Sequence, residues 1–299
     1  VSDLSRIRDN GEMPGDELQR YYDRNTDLFL RIGSSGSGHA IHRGLWGPGV
    51  RTGREAAGYV NALIAEEIRS FLPREPVAVL DLGCGVGGTL FSLAQTFPNA
   101  RLHGVTISAR QVSIARELAR RQGLEERCGF TQGDFEDLQL DLRADAVIAV
   151  ESFIHSSRPD RLLATCREHL VEDGVLVVVD DFLARPAPTD DPARRKTIDT
   201  FRTGWRVPGL CTLADFDAVA RRAGFEPLKQ QDLSGLIRTG RPRDWLVSIV
   251  SPVAQALGLM RRPFWANVVG GNALNAALRS GQVQYRMLAL RPSTRDRSR

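Results

Sequence analysis

The stretch Val77-Ala-Val-Leu-Asp-Leu-Gly-Cys-Gly-Val-Gly-Gly88 constrains this chain more than any other. An apolar run too short for a typical helix leads into Asp81. Glycines then alternate at Gly83, Gly85 and Gly87, and a helical pattern resumes at Thr89-Leu-Phe-Ser-Leu-Ala. The spacing predicts strand, turn and helix. Alternating glycines suit a backbone that turns sharply and lets a ligand approach the main chain with no Cβ in the way. Such a turn also fits a plain sheet closure that binds nothing. A phosphate loop of the Walker type is excluded, because no Gly-Lys-Ser/Thr follows.

The spacing also differs from the dinucleotide fingerprint G-x-G-x-x-G, and an acid stands at the strand's end. A carboxylate there suits a ligand carrying a cationic amino group and a sulfonium better than one carrying phosphates. Asp81-Leu-Gly-Cys-Gly-Val-Gly87 resembles motif I of the class I S-adenosylmethionine (SAM) methyltransferases. The resemblance implies an α/β fold with a Rossmann-like, seven-stranded, mostly parallel sheet and SAM as cofactor. It also implies cofactor contacts from Asp81, Gly83, Cys84, Gly85 and Gly87.

The chain around this motif alternates as such a sheet requires. Strands are expected over 77–82, 102–106, 128–132, 144–150 and 175–180, and helices over 54–72, 109–122 and 159–171. Helix 213–224, strand 225–233 and strand 282–290 follow. Near-continuous apolar strands alternating with helices argue for a parallel sheet covered on both faces, with ligands beyond the carboxyl ends of the strands.

After the second strand stands Gly104-Val-Thr-Ile-Ser-Ala-Arg-Gln111. Thr106 replaces the acid with which most class I methyltransferases bind the ribose diol. Gly-x-Thr-x-Ser-x-x-Gln is instead similar to the stretch in the sterol, tocopherol and cyclopropane-fatty-acid methyltransferases. That resemblance assigns Thr106, Ile107, Ser108 and Gln111 to the ribose and methionine parts of the cofactor, while Ser108 also reads as a helix N-cap. Gly133-Asp-Phe135 after the third strand matches the family's adenine position, with Asp134 as acceptor and Phe135 as stacking ring; a surface-loop acid is the alternative.

The fourth strand ends in Val150-Glu-Ser-Phe-Ile-His155. A carboxylate closing an apolar run must be paired, solvated in a cleft or shifted toward its neutral form. Glu-Ser-x-x-His looks like the signature of C-methyltransferases acting on isoprenoid alkenes, including the prenyl diphosphate branch. The resemblance makes Glu151 the base that faces the transferred methyl group and also contacts cofactor, with His155 as a second catalytic candidate. The plainer alternatives are that Glu151 ties its loop and that His155 is a cap. Asp180 and Asp181 end the fifth strand, where each either lines the pocket or caps the turn.

If the acceptor is an alkene, the cation formed on methylation calls for aromatic faces and a base. Tyr22, Phe153, Phe201 and Trp205 are the aromatic candidates, although an aromatic stripe is more often core than cage. A Gly/Ser stretch leads to His39, His42, Arg43 and Trp46, and the segment from His42 through Arg51 to Arg54 reads as a basic lid for a diphosphate, with Mg2+ bridging phosphate oxygens. The expected activity is C-methylation of a prenyl diphosphate such as geranyl diphosphate. The alternatives are an O- or N-methyltransferase of another small natural product and a SAM-binding protein without catalysis.

Charge and cysteine usage narrow the field. The net charge is +4 and the sequence pI about 9.1, but Arg291, Arg295, Arg297 and Arg299 against Asp296 put +3 of it into the last nine residues. A nearly neutral body argues against nucleic acid, and residues 291–299 read as a disordered basic tail. Cys84, Cys128, Cys166 and Cys211 are too scattered for a zinc site or disulfide framework, so a cytoplasmic protein is expected. No apolar run approaches the ~18 residues of a membrane span. The organisation expected is an arm, lid and helix over 1–72, then the SAM-binding core over 73–299 with lid insertions at about 184–210 and 234–281. A homo-oligomer is compatible with this reading.

Overall fold

The computed structural model describes residues 42–186, 191–240 and 242–293. The arm, Tyr22 and His39 lie outside the described residues, as do positions 294–299. Helix α1 (Gly53–Phe71) precedes β1 (Ala78–Leu82), α2 (Gly88–Thr96), β2 (Arg101–Thr106), α3 (Ala109–Arg121), β3 (Cys128–Gln132) and β4 (Ala144–Val150). A 3-10 turn at Phe153–His155 leads to α4 (Pro159–His169), β5 (Leu170–Leu183), α5 (Pro192–Trp205), α6 (Leu213–Arg222) and β6 (Phe225–Asp232). The chain closes with α7 (Pro242–Ala256), α8 (Pro263–Arg279) and β7 (Val283–Pro292).

All seven strands form one sheet in the order β3-β2-β1-β4-β5-β7-β6. The first five strands are parallel, and β7 runs antiparallel between β5 and β6. This is the expected α/β, Rossmann-like, mostly parallel sheet. Because side chains alternate across a strand, neighbouring residues feed opposite cores. Val79 joins Val60, Ile64, Leu90, Phe91 and Val112 on the α1–α2–α3 face. Leu80 and Leu82 join Leu162, Phe216 and Val219 on the α4–α6 face. Each fully buried Leu, Ile or Val contributes about 1.5–3 kcal/mol, so both strand faces must be apolar and the short runs carry no alternation.

Helix α1 starts where the sequence offers a capping box. Thr52 Oγ1 accepts from Glu55 N, and Glu55 Oε2 accepts from Thr52 N at 3.1 Å. It ends at Phe71 just before Pro73. Two boundaries differ from expectation. Strand β5 is 14 residues long, because Leu176 to Leu183 pair with Leu290 to Val283 and Leu170 pairs with Ala144 ahead of a register shift. Strand β7 runs to Pro292, and Arg291 Nε donates to Glu226 Oε1 at 2.5 Å. Arg291 therefore belongs to the sheet rather than to a basic tail. Helices α5 and α8 bring Ile198, Phe201, Leu274 and Ala277 into a third apolar cluster beside Val283.

Candidate active site

The chain leaves β1 in one direction to build β2 and β3, then returns to place β4 on the other side of β1. At such a switch point the two outgoing loops part and leave a crevice. One loop is Gly83 to Gly87, the other begins at Glu151. Gly83 N and Cys84 N both donate to Val105 O, at 2.8 and 3.0 Å, which anchors the glycine turn to β2. Gly83 has φ +88°, and a Cβ on it would stand 2.4 Å from the Ser152 Cβ; Ser152 in turn donates from its hydroxyl to Leu82 O at 2.7 Å. Gly87 has φ +87° at the α2 N-terminus, against the Phe130 ring. Only glycine satisfies both the backbone angle and the contact at these two positions.

Asp81 is 2% exposed and has no hydrogen-bond donor among the described residues; burial pushes its carboxyl up to about 7. A buried carboxylate without a partner fits a site built to receive a positively charged ligand group. Burial, then the nearby Asp81, also raises the Cys84 thiol well above its ordinary value, so it stays neutral. Along the β2 exit, Thr106 Oγ1 donates to Gln111 Oε1 at 2.6 Å and Gln111 N donates to Ser108 Oγ at 3.1 Å, the N-cap of α3. Ile107 O accepts from Gln132 Nε2 at 3.3 Å. Asp134 is exposed, its Oδ1 accepting from Glu136 N at 2.8 Å, with Phe135 half-buried beside it. These side chains line the carboxyl ends of β1, β2 and β3 in turn, and the uncompensated Asp81 and the Cβ-free turn fit a SAM molecule held across them.

Glu151 sits at the carboxyl end of β4 in the left-handed region, φ +49°, with its N–H donating to Val179 O at 2.8 Å. A positive φ on a glutamate is uncommon and marks a conformation imposed by its surroundings. Those surroundings are a charged network. Glu151 Oε1 accepts from Arg43 N at 3.0 Å, Arg43 Nε at 3.2 Å and the Tyr285 hydroxyl at 2.9 Å. The rest of the Arg43 fork engages Asp181, Nη1 to Oδ1 at 2.8 Å and Nη2 to Oδ2 at 2.5 Å, and its guanidinium lies 4.4 Å above the Tyr285 ring centroid. Burial opposes the Glu151 charge, but Arg43, His42 and the Tyr285 hydroxyl together hold its pKa below the usual carboxylate value. Burial likewise opposes the Arg43 charge, and Asp181 and Glu151 outweigh it, so Arg43 is held well above its ordinary value. Burial lowers the His42 pKa below its ordinary value against the opposing pull of Glu151, with Nε2 3.2 Å from Asn61 Oδ1.

The antiparallel course of β7 brings Tyr285 here. Asp181 and Tyr285 are directly opposite one another in the β5–β7 ladder, at the edge where the parallel strands end. Arg43 reaches them because the residues that follow it are tied to α1 and to the turn after β6. Leu45 N donates to Ala56 O and Trp46 N to Leu236 O, at 2.8 and 2.7 Å. Neither Tyr285 nor Asn61 carries a local sequence signal for this role. Glu136 was also missed: it accepts from Ser156 Oγ, Ser157 N and Arg158 Nε at 2.7 Å each, tying the β3 exit to the turn after Glu151.

Several expected substrate contacts are placed otherwise. Arg43, read as a cation awaiting an anionic substrate, is already committed to Asp181 and Glu151. Phe153 is 1% exposed and packs edge-on against Phe216 in the core, ring centroids 4.9 Å apart, so it supports the sheet. Phe201 and Trp205 fill the α5–α8 cluster, and the Trp205 indole donates to Asn267 O at 3.1 Å. His155 Nδ1 lies 3.1 Å from Arg206 O, and burial lowers its pKa. Trp46 is half-buried under the Arg238 guanidinium, 3.5 Å from its ring centroid, and its indole N–H has no partner among the described residues. Arg51 is exposed at the start of α1. Among the described residues no group of three or more His, Cys, Asp or Glu could hold a metal ion.

Residues 79–174 match the family described as methyltransferase domain. Over 260 residues the chain is 24% identical to 24-methylenesterol C-methyltransferase 3 of Arabidopsis thaliana, covering 84% of this chain and 70% of that protein. In structure it is similar to the [4+2]-cyclase SpnF, with a TM-score of 0.70, 24% identity and coverage of 93% and 96% of the two chains. It is also similar to geranyl diphosphate C-methyltransferase from Streptomyces coelicolor A3(2), solved with Mg2+, geranyl diphosphate and S-adenosyl-L-homocysteine. There the TM-score is 0.66, with 16% identity and coverage of 95% and 99%.

Proposed function

We propose that the chain, whose residues 79–174 match a methyltransferase domain, is a class I SAM-dependent methyltransferase that methylates a carbon of an isoprenoid-related acceptor. One observation carries the reading: a half-buried glutamate, kept ionised by Arg43 and Tyr285, at the mouth of the β1–β4 crevice. SAM when bound supplies a methyl group already activated on a sulfonium. Asp81, the glycine turn, Thr106, Ser108, Gln111, Asp134 and Phe135 would hold it, and the enclosing walls exclude water. The residues then have one further task, which is to manage the positive charge that an alkene acquires when its π electrons bond a methyl carbon. The fixed negative charge of Glu151 stabilises that cation. It also accepts the proton from the neighbouring carbon, whose C–H electron pair restores the double bond. A C–H beside a cationic carbon is so acidic that a carboxylate of low pKa suffices.

The finer assignment is a prenyl diphosphate such as geranyl diphosphate. It is supported by the similarity to the Streptomyces enzyme and by the exposed Arg238, whose guanidinium lies over Trp46. Mg2+ would then come mainly through the phosphate oxygens, as that ion prefers one or two carboxylates plus phosphates. The test is incubation with methyl-labelled SAM and, separately, geranyl diphosphate, isopentenyl diphosphate or a Δ24 sterol, with and without Mg2+. Label on carbon of any of these supports the reading; label on oxygen or nitrogen acceptors alone, or on none, overturns it. Glu151→Gln should lower turnover by roughly 10²–10⁴-fold while S-adenosylhomocysteine affinity measured by calorimetry stays near the parent value. Unchanged turnover would reduce Glu151 to a loop tie.

A further inference from the structure

Helix α7 is patterned the wrong way round for a helix of a water-soluble body. It buries small residues, Ser251 and Ala254, and leaves large ones in solvent. Trp245 (68% exposed), Ile249 (50%), Val253 (56%) and Leu257 (68%) recur every fourth residue, so they form one continuous stripe along the helix. Phe264 at the start of α8 extends it. Of the six large apolar side chains exposed among the described residues, these are five, so the exposure is one patch and not scatter. The patch is also cationic. Arg261 and Arg262 are exposed between Leu257 and Phe264. Beside it, Arg195 and Lys196 of α5 line a cleft of about 470 Å³ whose other wall includes Gln255 and Met260.

We propose that this face is a peripheral membrane-docking surface that lies on bilayers containing anionic phospholipid. The combination of a tryptophan and aliphatic stripe with arginines at its end is what an interfacial helix requires. The apolar side chains enter the acyl boundary while the guanidinium groups pair with lipid phosphates. At 15 residues α7 is too short to cross a bilayer, and no helix of the described residues is long and apolar enough to do so; the helix lies flat on the surface. The exposed cations Arg261 and Arg262 at the end of the stripe favour an anionic surface over a second copy of this face, which offers them no exposed acid among the described residues of the stripe. The docking surface does not depend on which acceptor is methylated.

Flotation with vesicles of phosphatidylcholine alone and of phosphatidylcholine with phosphatidylserine tests it. The parent protein should float with the anionic vesicles, less at high salt, and only weakly with the neutral ones. Ile249→Glu combined with Leu257→Glu should abolish flotation. Arg261→Ala combined with Arg262→Ala, a milder surface change, should weaken binding to anionic vesicles about thirtyfold. Both variants should bind S-adenosylhomocysteine as the parent does, which shows that they are folded. No flotation of the parent, or equal flotation of the arginine variant, overturns the proposal. So does a parent dimer by light scattering that Ile249→Glu converts to monomers without any vesicle binding, because the face would then join two copies.

Discussion

Asp81 shows what a single residue can be asked to do before a ligand arrives. Its folded pKa of about 7 stands above the ordinary 3.8, so the stability it contributes is fully present below that ordinary value and is lost as pH rises through 7. Asp81→Asn should therefore make the cofactor-free protein more stable than the parent above neutrality, by roughly 2–3 kcal/mol in urea titrations, while abolishing cofactor binding. The same displacement predicts proton release on binding. A cationic amino group beside Asp81 favours the ionised form, so S-adenosylhomocysteine should expel close to one proton at about pH 6 and almost none at about pH 9. Calorimetry in buffers of different ionisation enthalpy reads that number, and heats independent of buffer would contradict it. Tyr285 acts on Glu151 with the opposite sign. Its hydroxyl stabilises the carboxylate, so Tyr285→Phe should raise the Glu151 pKa and move the acidic limb of the kcat/KM profile about one unit upward. An acidic limb that does not move would leave Tyr285 a packing residue only. Asp81 was legible from its place before the glycines. Tyr285 was not, because a tyrosine in a strand looks alike whether its hydroxyl meets water or a buried acid.

Among the elements, the glycine turn is the one where local geometry and long-range contact coincide. Gly83→Ala puts a Cβ into the left-handed region and against Ser152 at the same time. It should lower stability by about 1–3 kcal/mol and weaken cofactor binding. The double variant Gly83→Ala/Ser152→Gly should recover the part due to the clash and keep the part due to the backbone angle; denaturant melts of the four proteins separate the two, and strict additivity would mean that the contact carries no energy. The first strands and their helices were readable because a parallel strand buried on both faces is a bare apolar run between turn signals. Strand β5, expected over 175–180, runs from Leu170 to Leu183. Its C-terminal extension follows from β7, about a hundred positions away, and its N-terminal one from the pairing of Leu170 with Ala144 of β4. Phe153, Phe201 and Trp205 illustrate the same limit: an aromatic next to a site motif has no local mark that distinguishes a pocket wall from core filling.

At the scale of the whole molecule, the sheet carries the residues proposed to hold the cofactor, and the α5–α8 pair packs beside β7. The two helices meet so closely that a Cβ on Gly270 would stand 2.9 Å from Gly204 Cα and 2.7 Å from the Trp205 ring. Gly270→Leu should separate them. Hydrogen exchange should then show lost protection in α5 and α8 with β1 to β4 unchanged and S-adenosylhomocysteine still bound; a global loss of protection would mean that the pair is needed for the sheet to fold. By itself the sequence determined the nature of the sheet, the position of the glycine turn and the acid at the end of β4, because each depends on spacing within a few residues that backbone geometry reads directly. Only the tertiary structure decided that Arg43 is spent on Asp181 and Glu151 and that Tyr285 completes their network. It also decided that α7 turns its large side chains outward. Those outcomes depend on which distant strands pair and which helix faces meet, and the free energy that selects among such pairings comes from burial and charge compensation summed over the whole chain rather than from any local pattern.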